Sequence, residues 1–244
     1  MMIDFHLHLG KSSSGTMYTV EDLISMLDEY DIKSAGLSML NGTDVTKLNN
    51  QVYEHYKKYP ERIVPFAYIN PRDENAIEEV DRTLGTLKMK GIKFHSWKHG
   101  YNPENSNSLD DVVRAIGKYD VPILTHTGTA PLSLPQSWAR VAEKFPMQKW
   151  VFAHIGLLDY GYGCVEAVKD LENIWVDTSG QNEVQILEKA FEELGEDRII
   201  YASDWPYKHV GSEILKLDCL NMTEEQKIKV FHNNSAKLLG LELI

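Results

Sequence analysis

The stretch Ile3-Asp4-Phe5-His6-Leu7-His8-Leu9 alternates apolar and polar residues over seven positions. That period of two is the signature of a β-strand with one face buried. In this reading Ile3, Phe5, Leu7 and Leu9 share the face toward the helices, and Asp4, His6 and His8 share the other. The strand does not lead into a Gly-rich phosphate loop, as the first strand of a doubly wound open sheet usually does. It ends in His-Leu-His instead.

Seven further apolar runs follow: Ser34–Leu40, Ile63–Ile69, Gly91–Phe94, Val121–Thr127, Trp150–Ile155, Ile174–Thr178 and Ile199–Ser203. Each is short, rich in Ile, Val and aromatic residues, and bounded by Gly, Asn, Pro or Asp. Amphipathic helical patterns lie between them. Thr19 and Asp22 form a capping box ahead of Val20, Leu23, Ile24 and Leu27. Leu109, Val112, Val113 and Ile116 repeat the spacing after Ser108, as do Val184, Leu187, Ala190 and Phe191. Thr223 with Gln226 opens a last helix to about Leu239, and Gly240 follows as its C-cap. Eight strands separated by helices imply parallel pairing through right-handed crossovers. The fold expected is α/β, a (β/α)8 TIM barrel, with residues 1–244 forming one domain.

Bulk properties agree with a single folded barrel. The chain has 244 residues, 43% of them hydrophobic and 25% charged, within the range of folded globular domains. The net charge of −11 disfavours nucleic acid as a partner, because phosphate binding needs a basic patch. No apolar run reaches the roughly 18 residues of a membrane span. The opening Met1-Met2-Ile3-Asp4-Phe5-His6 lacks a basic stretch followed by an apolar one, so no secretory signal is expected. Cys164 and Cys219 lie far apart without ligand spacing, which fits a reducing, cytoplasmic setting.

Barrel active sites collect at the C-terminal ends of the strands. Here those ends carry Lys93-Phe-His95 on the fourth, His126 on the fifth, His154 on the sixth and Asp204 on the eighth. Two imidazoles on the inward face of the first strand need a partner, and a divalent metal satisfies both.

His6-Leu-His8, His126, His154 within Ala-His-Ile-Gly and Asp204 within Ser-Asp-Trp-Pro resemble the amidohydrolase superfamily. Within it the chain resembles the amidohydrolase-related (amidohydrolase 2) branch of metal-dependent hydrolases and decarboxylases, from residue 4 to the terminal His232–Gly240 segment. The chain departs from that branch at Leu157, where a second Gly is frequent, and in its shorter length. The resemblance implies that His6, His8, His126 and Asp204 bind the metal and that His154 transfers a proton or polarises a carbonyl. If there are two metals, it implies that Lys93, carbamylated, bridges them and that His126 and His154 hold the second.

The donor types suit Zn²⁺ first, with Mn²⁺, Fe²⁺ or Ni²⁺ also accommodated. The main expectation is hydrolysis of an amide, lactone or ester-type bond of a small molecule by metal-activated water. Asp204 would be the proton carrier, and His154 or His95 the oxyanion partner. The alternative is a non-oxidative decarboxylase of a small aromatic or unsaturated carboxylic acid. A further alternative is a metal-binding barrel without catalysis. Polymerase-and-histidinol-phosphatase-type enzymes and TatD-like nucleases share the opening motif but need ligands that this chain lacks. Loop residues after the strands are candidates for substrate contact: Ser12–Ser14, Asn41, Asn70, Arg72, Trp97, Lys98, Tyr101, Trp205 and Tyr207. Arg72 and Lys98 would neutralise a carboxylate, and the aromatic residues would line a pocket. Pairing of barrels into a homo-oligomer through outer helices is compatible with the sequence.

Overall fold

The structure is a computed structural model that describes residues 2–12 and 14–244. Ser13, one of the candidate loop residues, lies outside the described residues. All eight expected strands form, as β1 (Met2–Lys11), β3 (Ile32–Met39), β4 (Ile63–Tyr68), β5 (Gly91–Phe94), β6 (Ile123–Thr125), β7 (Trp150–Phe152), β8 (Ile174–Asp177) and β9 (Ile199–Ile200). They pair in chain order, each parallel to the next. A ninth strand, β2 (Met17–Tyr18), pairs antiparallel with the end of β1. Two residues are too few to show a period, so the sequence pattern did not reveal it. Backbone hydrogen bonds bring the last stave to the first: Phe5 N–H donates to Tyr201 O at 3.2 Å, and Asp204 N–H to His6 O at 2.8 Å.

The helices start where their caps dictate. Thr19 with Asp22 and Thr223 with Gln226 both form reciprocal capping boxes. The helix Asn107–Ile116 begins just before the expected Ser108, with Ser106 at its N-cap position. The C-terminal helix is interrupted by a π-helical turn at Lys229–Asn233 before it ends at Gly240, whose φ is +64°. Both cysteines are free, and among the described residues no helix is long and apolar enough to cross a membrane.

Two apolar clusters result. The larger joins the helices to the outer face of the sheet and includes Leu7, Leu9, Leu23, Val112 and Ile116. The smaller fills the barrel with Ile3, Phe5, Val64, Phe66, Leu124, Val151 and Ile200, with Leu238 and Leu239 packed against it. The expected grouping of Ile3 and Phe5 with Leu7 and Leu9 is therefore corrected. The pairing of β1 with β3 shifts register between Asp4 and Leu7, so a bulge reverses the alternation in mid-strand. Asp4 pairs with Ala35 of the outer cluster and does not share the inward face with His6 and His8.

The loops after β6 and β7 meet backbone to backbone. Gly128, at φ +97°, lies where a Cβ would come within 2.0 Å of Gly156 O. Gly128→Ala is expected to lower the unfolding free energy by about 3 kcal/mol, from steric conflict and backbone strain together. Urea denaturation monitored by circular dichroism measures this.

Candidate active site

The bulge in β1 turns His6 and His8 into the mouth of the barrel, where their rings meet at 4.8 Å, edge to face. The outer nitrogen of each ring is fixed. His6 Nδ1 lies 2.9 Å from Asp177 Oδ2, and His8 Nδ1 lies 2.9 Å from Ser38 O. A carboxylate and a carbonyl only accept, so in the neutral rings both Nδ1 atoms carry the proton and both Nε2 atoms present lone pairs. Burial, the largest cause, and neighbouring cations hold His6 well below the usual imidazole range, and burial also lowers His8. The rings are therefore neutral at pH 7.

The two Nε2 lone pairs face each other at 2.9 Å. Asp204 Oδ1 lies 3.4 Å from His8 Nε2 and 3.7 Å from His6 Nε2. Three electron-rich atoms directed at one point need a cation between them, and this donor set fits a divalent metal. Lys93, buried on β5, donates from Nζ to His6 Nε2 at 2.8 Å. Burial brings the Lys93 ammonium down to about 8. Among the described residues no carboxylate lies within ion-pair distance of it.

A second group of imidazoles adjoins the first. His154 Nδ1 donates to Ser179, whose carbonyl oxygen is at 3.0 Å and Oγ at 2.9 Å. His154 Nε2 therefore accepts from His126 Nδ1 at 3.1 Å, and His126 Nε2 accepts from Thr129 Oγ1 at 2.8 Å. His95 stacks on His126 with ring centroids 4.0 Å apart. His126 thus stands beside the His6, His8 and Asp204 group with both ring nitrogens already bonded. Burial lowers all three, His126 to about 3 and His95 and His154 well below the ordinary imidazole range.

Sequence reasoning missed Asp177, which organises the whole centre. Its Oδ1 accepts from His154 N–H at 2.9 Å, Ser179 N–H at 3.0 Å and Ser179 Oγ–H at 2.5 Å, while Oδ2 holds His6. His6, His154 and Asp177 form a second set with ligand-like spacing, but Ser179 hydrogen bonds already tie its atoms together. Asp177 closes the seventh of the eight main strands, so the inspection of strand ends that found Asp204 would have found it too. Two of the central residues have left-handed backbones despite bearing side chains: His154 at φ +68° and Asp204 at φ +55°. Strain of this kind concentrates at functional sites.

The loop candidates separate into two groups. Tyr207 lies over His8, ring centroids 5.7 Å apart, and Lys98 Nζ reaches Leu40 O at 3.5 Å across the mouth. Trp97 is exposed at the surface. Three other candidates already have partners within the fold. Arg72 donates to the carbonyls of His99 and Gly100 and braces that turn. Tyr101 is buried in the core beside Trp138. Trp205 packs on Tyr18 and belongs to the edge of the outer cluster.

The family model described as amidohydrolase matches residues 3–241. The chain belongs to the amidohydrolase family. A gamma-resorcylate decarboxylase of Rhodococcus jostii (strain RHA1) is 31% identical over 71 residues, 29% of this chain and 22% of that enzyme's length. The same-named enzyme of a Polaromonas species (strain JS666) is 23% identical over 91% of this chain and 84% of its own length. The 5-carboxyvanillate decarboxylase of Novosphingobium aromaticivorans, solved with manganese and a nitrobenzoic acid, superposes with a TM-score of 0.83. It is 20% identical, and the match covers 99% of this chain and 96% of that one. These likenesses overturn hydrolysis as the leading expectation for this chain. The named activities of the relatives, and mainly those of the similar folds, are decarboxylations.

Proposed function

We propose that this amidohydrolase-family chain is a metal-dependent, non-oxidative decarboxylase of a small hydroxylated aromatic carboxylic acid. The observation that carries the reading is the convergence of His6 Nε2, His8 Nε2 and Asp204 Oδ1 on one point, with Lys93 Nζ, at His6 Nε2, the one hydrogen-bond donor to them among the described residues. His6, His8 and Asp204 would hold the ion, and His126, whose Nε2 is bonded to Thr129 here, would be the fourth donor. Manganese is the ion to load first, given its presence in the Novosphingobium structure. Zinc suits the same donors.

When bound, the cation supplies positive charge that fixes a substrate carboxylate or phenolate oxygen. The overall change is ArCO2⁻ + H⁺ → ArH + CO2: the C–C bond breaks, its electron pair stays on the ring carbon, and a proton takes the carboxyl's place. Asp204 is the proton carrier. Its side chain is 12% exposed, against 1% and 2% for His6 and His8, so water can reprotonate it after turnover. The neutral His154, His126 and His95 form the wall against which the ring is held. Lys93 keeps positive charge beside His6, and Asp177 holds the His6 and His154 rings in place.

Lys98 is a cation at the mouth with no carboxylate in ion-pair distance among the described residues, and Tyr207 stands over His8. We assign Lys98 to a second anionic or phenolic substituent of the substrate. Lys98→Met is expected to raise KM about tenfold and leave kcat within about threefold, as loss of a charge-assisted contact does when chemistry is untouched. Steady-state kinetics on a dihydroxybenzoic acid checks it.

The reading itself is tested by loading the protein with manganese and measuring CO2 release from a panel of mono- and dihydroxybenzoic acids and carboxyvanillate. Release that needs the metal supports it. No release from any member by fully loaded protein overturns it.

A further inference from the structure

Against the turn that follows β8 lies a buried ion pair that the chemistry above does not use. Glu213 and Lys216 pair with each other, and their side chains are 3% and 11% exposed. Burial lowers the Lys216 ammonium, and Glu213 offsets part of that. A buried pair of this kind contributes little net stability, because the desolvation of both charges cancels most of their attraction. Its contacts suggest another reason for its presence.

Both partners reach the turn that follows β8. Lys216 Nζ donates to Thr178 O at 2.5 Å, and Gly180 N–H donates to Glu213 Oε2 at 2.8 Å. Between those two anchor points lies Ser179, whose Oγ and carbonyl oxygen hold His154 Nδ1 and whose N–H is held by Asp177. Gly180 packs directly behind the ring, since a Cβ there would stand 3.7 Å from His154 Nδ1. In this turn Thr178 O and Gly180 N–H thus belong to the ion pair, and the two oxygens of Ser179 receive His154 Nδ1–H. Thr178 N–H donates to Ile200 O at 3.0 Å, so the start of the turn is tied to β9 and the ion pair supplies the hold beyond it.

We propose that Glu213 and Lys216 are positioning residues: by clamping Thr178 and Gly180 they set the place of Ser179, and through it the tautomer and orientation of His154. The effect on rate rests on the decarboxylase reading; the effect on the imidazole does not.

The test uses Glu213→Gln and the double variant Glu213→Met, Lys216→Met, which replaces the pair by apolar side chains of similar volume. The His154 Nδ1–H resonance is followed by nitrogen-15 NMR in zinc-loaded protein without substrate, with thermal unfolding as the control for folding. The double variant is expected to unfold cooperatively at a lower midpoint than wild type, because Gly180 N–H and Thr178 O lose their side-chain partners while the two charges are removed together. Both variants are expected to lose the slowly exchanging His154 signal. In the manganese-loaded protein kcat should fall about tenfold to a hundredfold with KM within about twofold, the usual size of an orienting partner's effect. An unchanged His154 signal in the folded double variant overturns the proposal, whatever happens to the rate. A lost signal in protein that turns over none of the aromatic acids leaves the positioning role standing and removes only the decarboxylase reading.

Discussion

Replacing His6 and His8 together by alanine is expected to abolish manganese binding and to lower decarboxylation by at least about a thousandfold. The magnitude follows from the several kcal/mol that a metal contributes to charge stabilisation in the transition state. The structural reason is specific. Their two Nε2 atoms and Asp204 Oδ1 are the electron-rich groups directed at one point, and two of the three would be gone. Metal-linked stability provides a readout independent of substrate. A ligand that binds only the folded state raises the unfolding temperature with its concentration. Wild-type protein should therefore melt higher as manganese is added, and the double variant should not respond. Equal responses in the two would mean that the ion binds elsewhere.

Asp177→Ala is expected to act nearly as strongly, although Asp177 is placed behind the ligands. The carboxylate accepts from His6 Nδ1–H, His154 N–H, Ser179 N–H and Ser179 Oγ–H. Removing it leaves buried donors unpaired, at about 1–3 kcal/mol each before relaxation. A loss of about 3–5 kcal/mol in unfolding free energy is expected. Manganese affinity should fall about tenfold to a hundredfold, because His6 loses the partner that fixes its tautomer. Asp177→Asn separates the two effects. Its carbonyl oxygen can still accept from Ser179 and His154, but its amide hydrogens oppose His6 Nδ1–H. The asparagine variant should keep most of the stability and lose most of the affinity. Urea denaturation and manganese titration of both variants decide this; an alanine variant with wild-type affinity would contradict the orienting role.

Much of the architecture was legible because each stave has to bury an apolar run, and eight such runs stand out. The strand-end histidines and Asp204 stand out for the converse reason: polar groups at positions that otherwise favour Ile, Val or Leu. The bulge in β1 was not legible. An alternating pattern reads the same whether the chain keeps its register or slips by a residue, and only pairing with Ala35 and Leu37 reveals the reversal. Tyr101 resembled a pocket residue because it sits in a loop beside Gly100, yet the loop folds its ring back onto Trp138. Arg72 looked free to meet a carboxylate, but two backbone carbonyls at the His99–Gly100 turn hold it. The reaction was the least legible feature. Two imidazoles and a carboxylate can serve a water attacking a carbonyl or an acid protonating a ring carbon. The difference lies in which atom receives the proton, and that depends on the substrate.

The most direct test of the central claim is therefore to run the manganese-loaded protein on a dihydroxybenzoic acid in D2O and examine the product by proton NMR and mass spectrometry. The account requires CO2 and an arene carrying one deuteron, at the carbon that lost the carboxylate. Fully metal-loaded protein that releases no CO2 from any hydroxybenzoic acid, or a product without deuterium at that carbon, would contradict it.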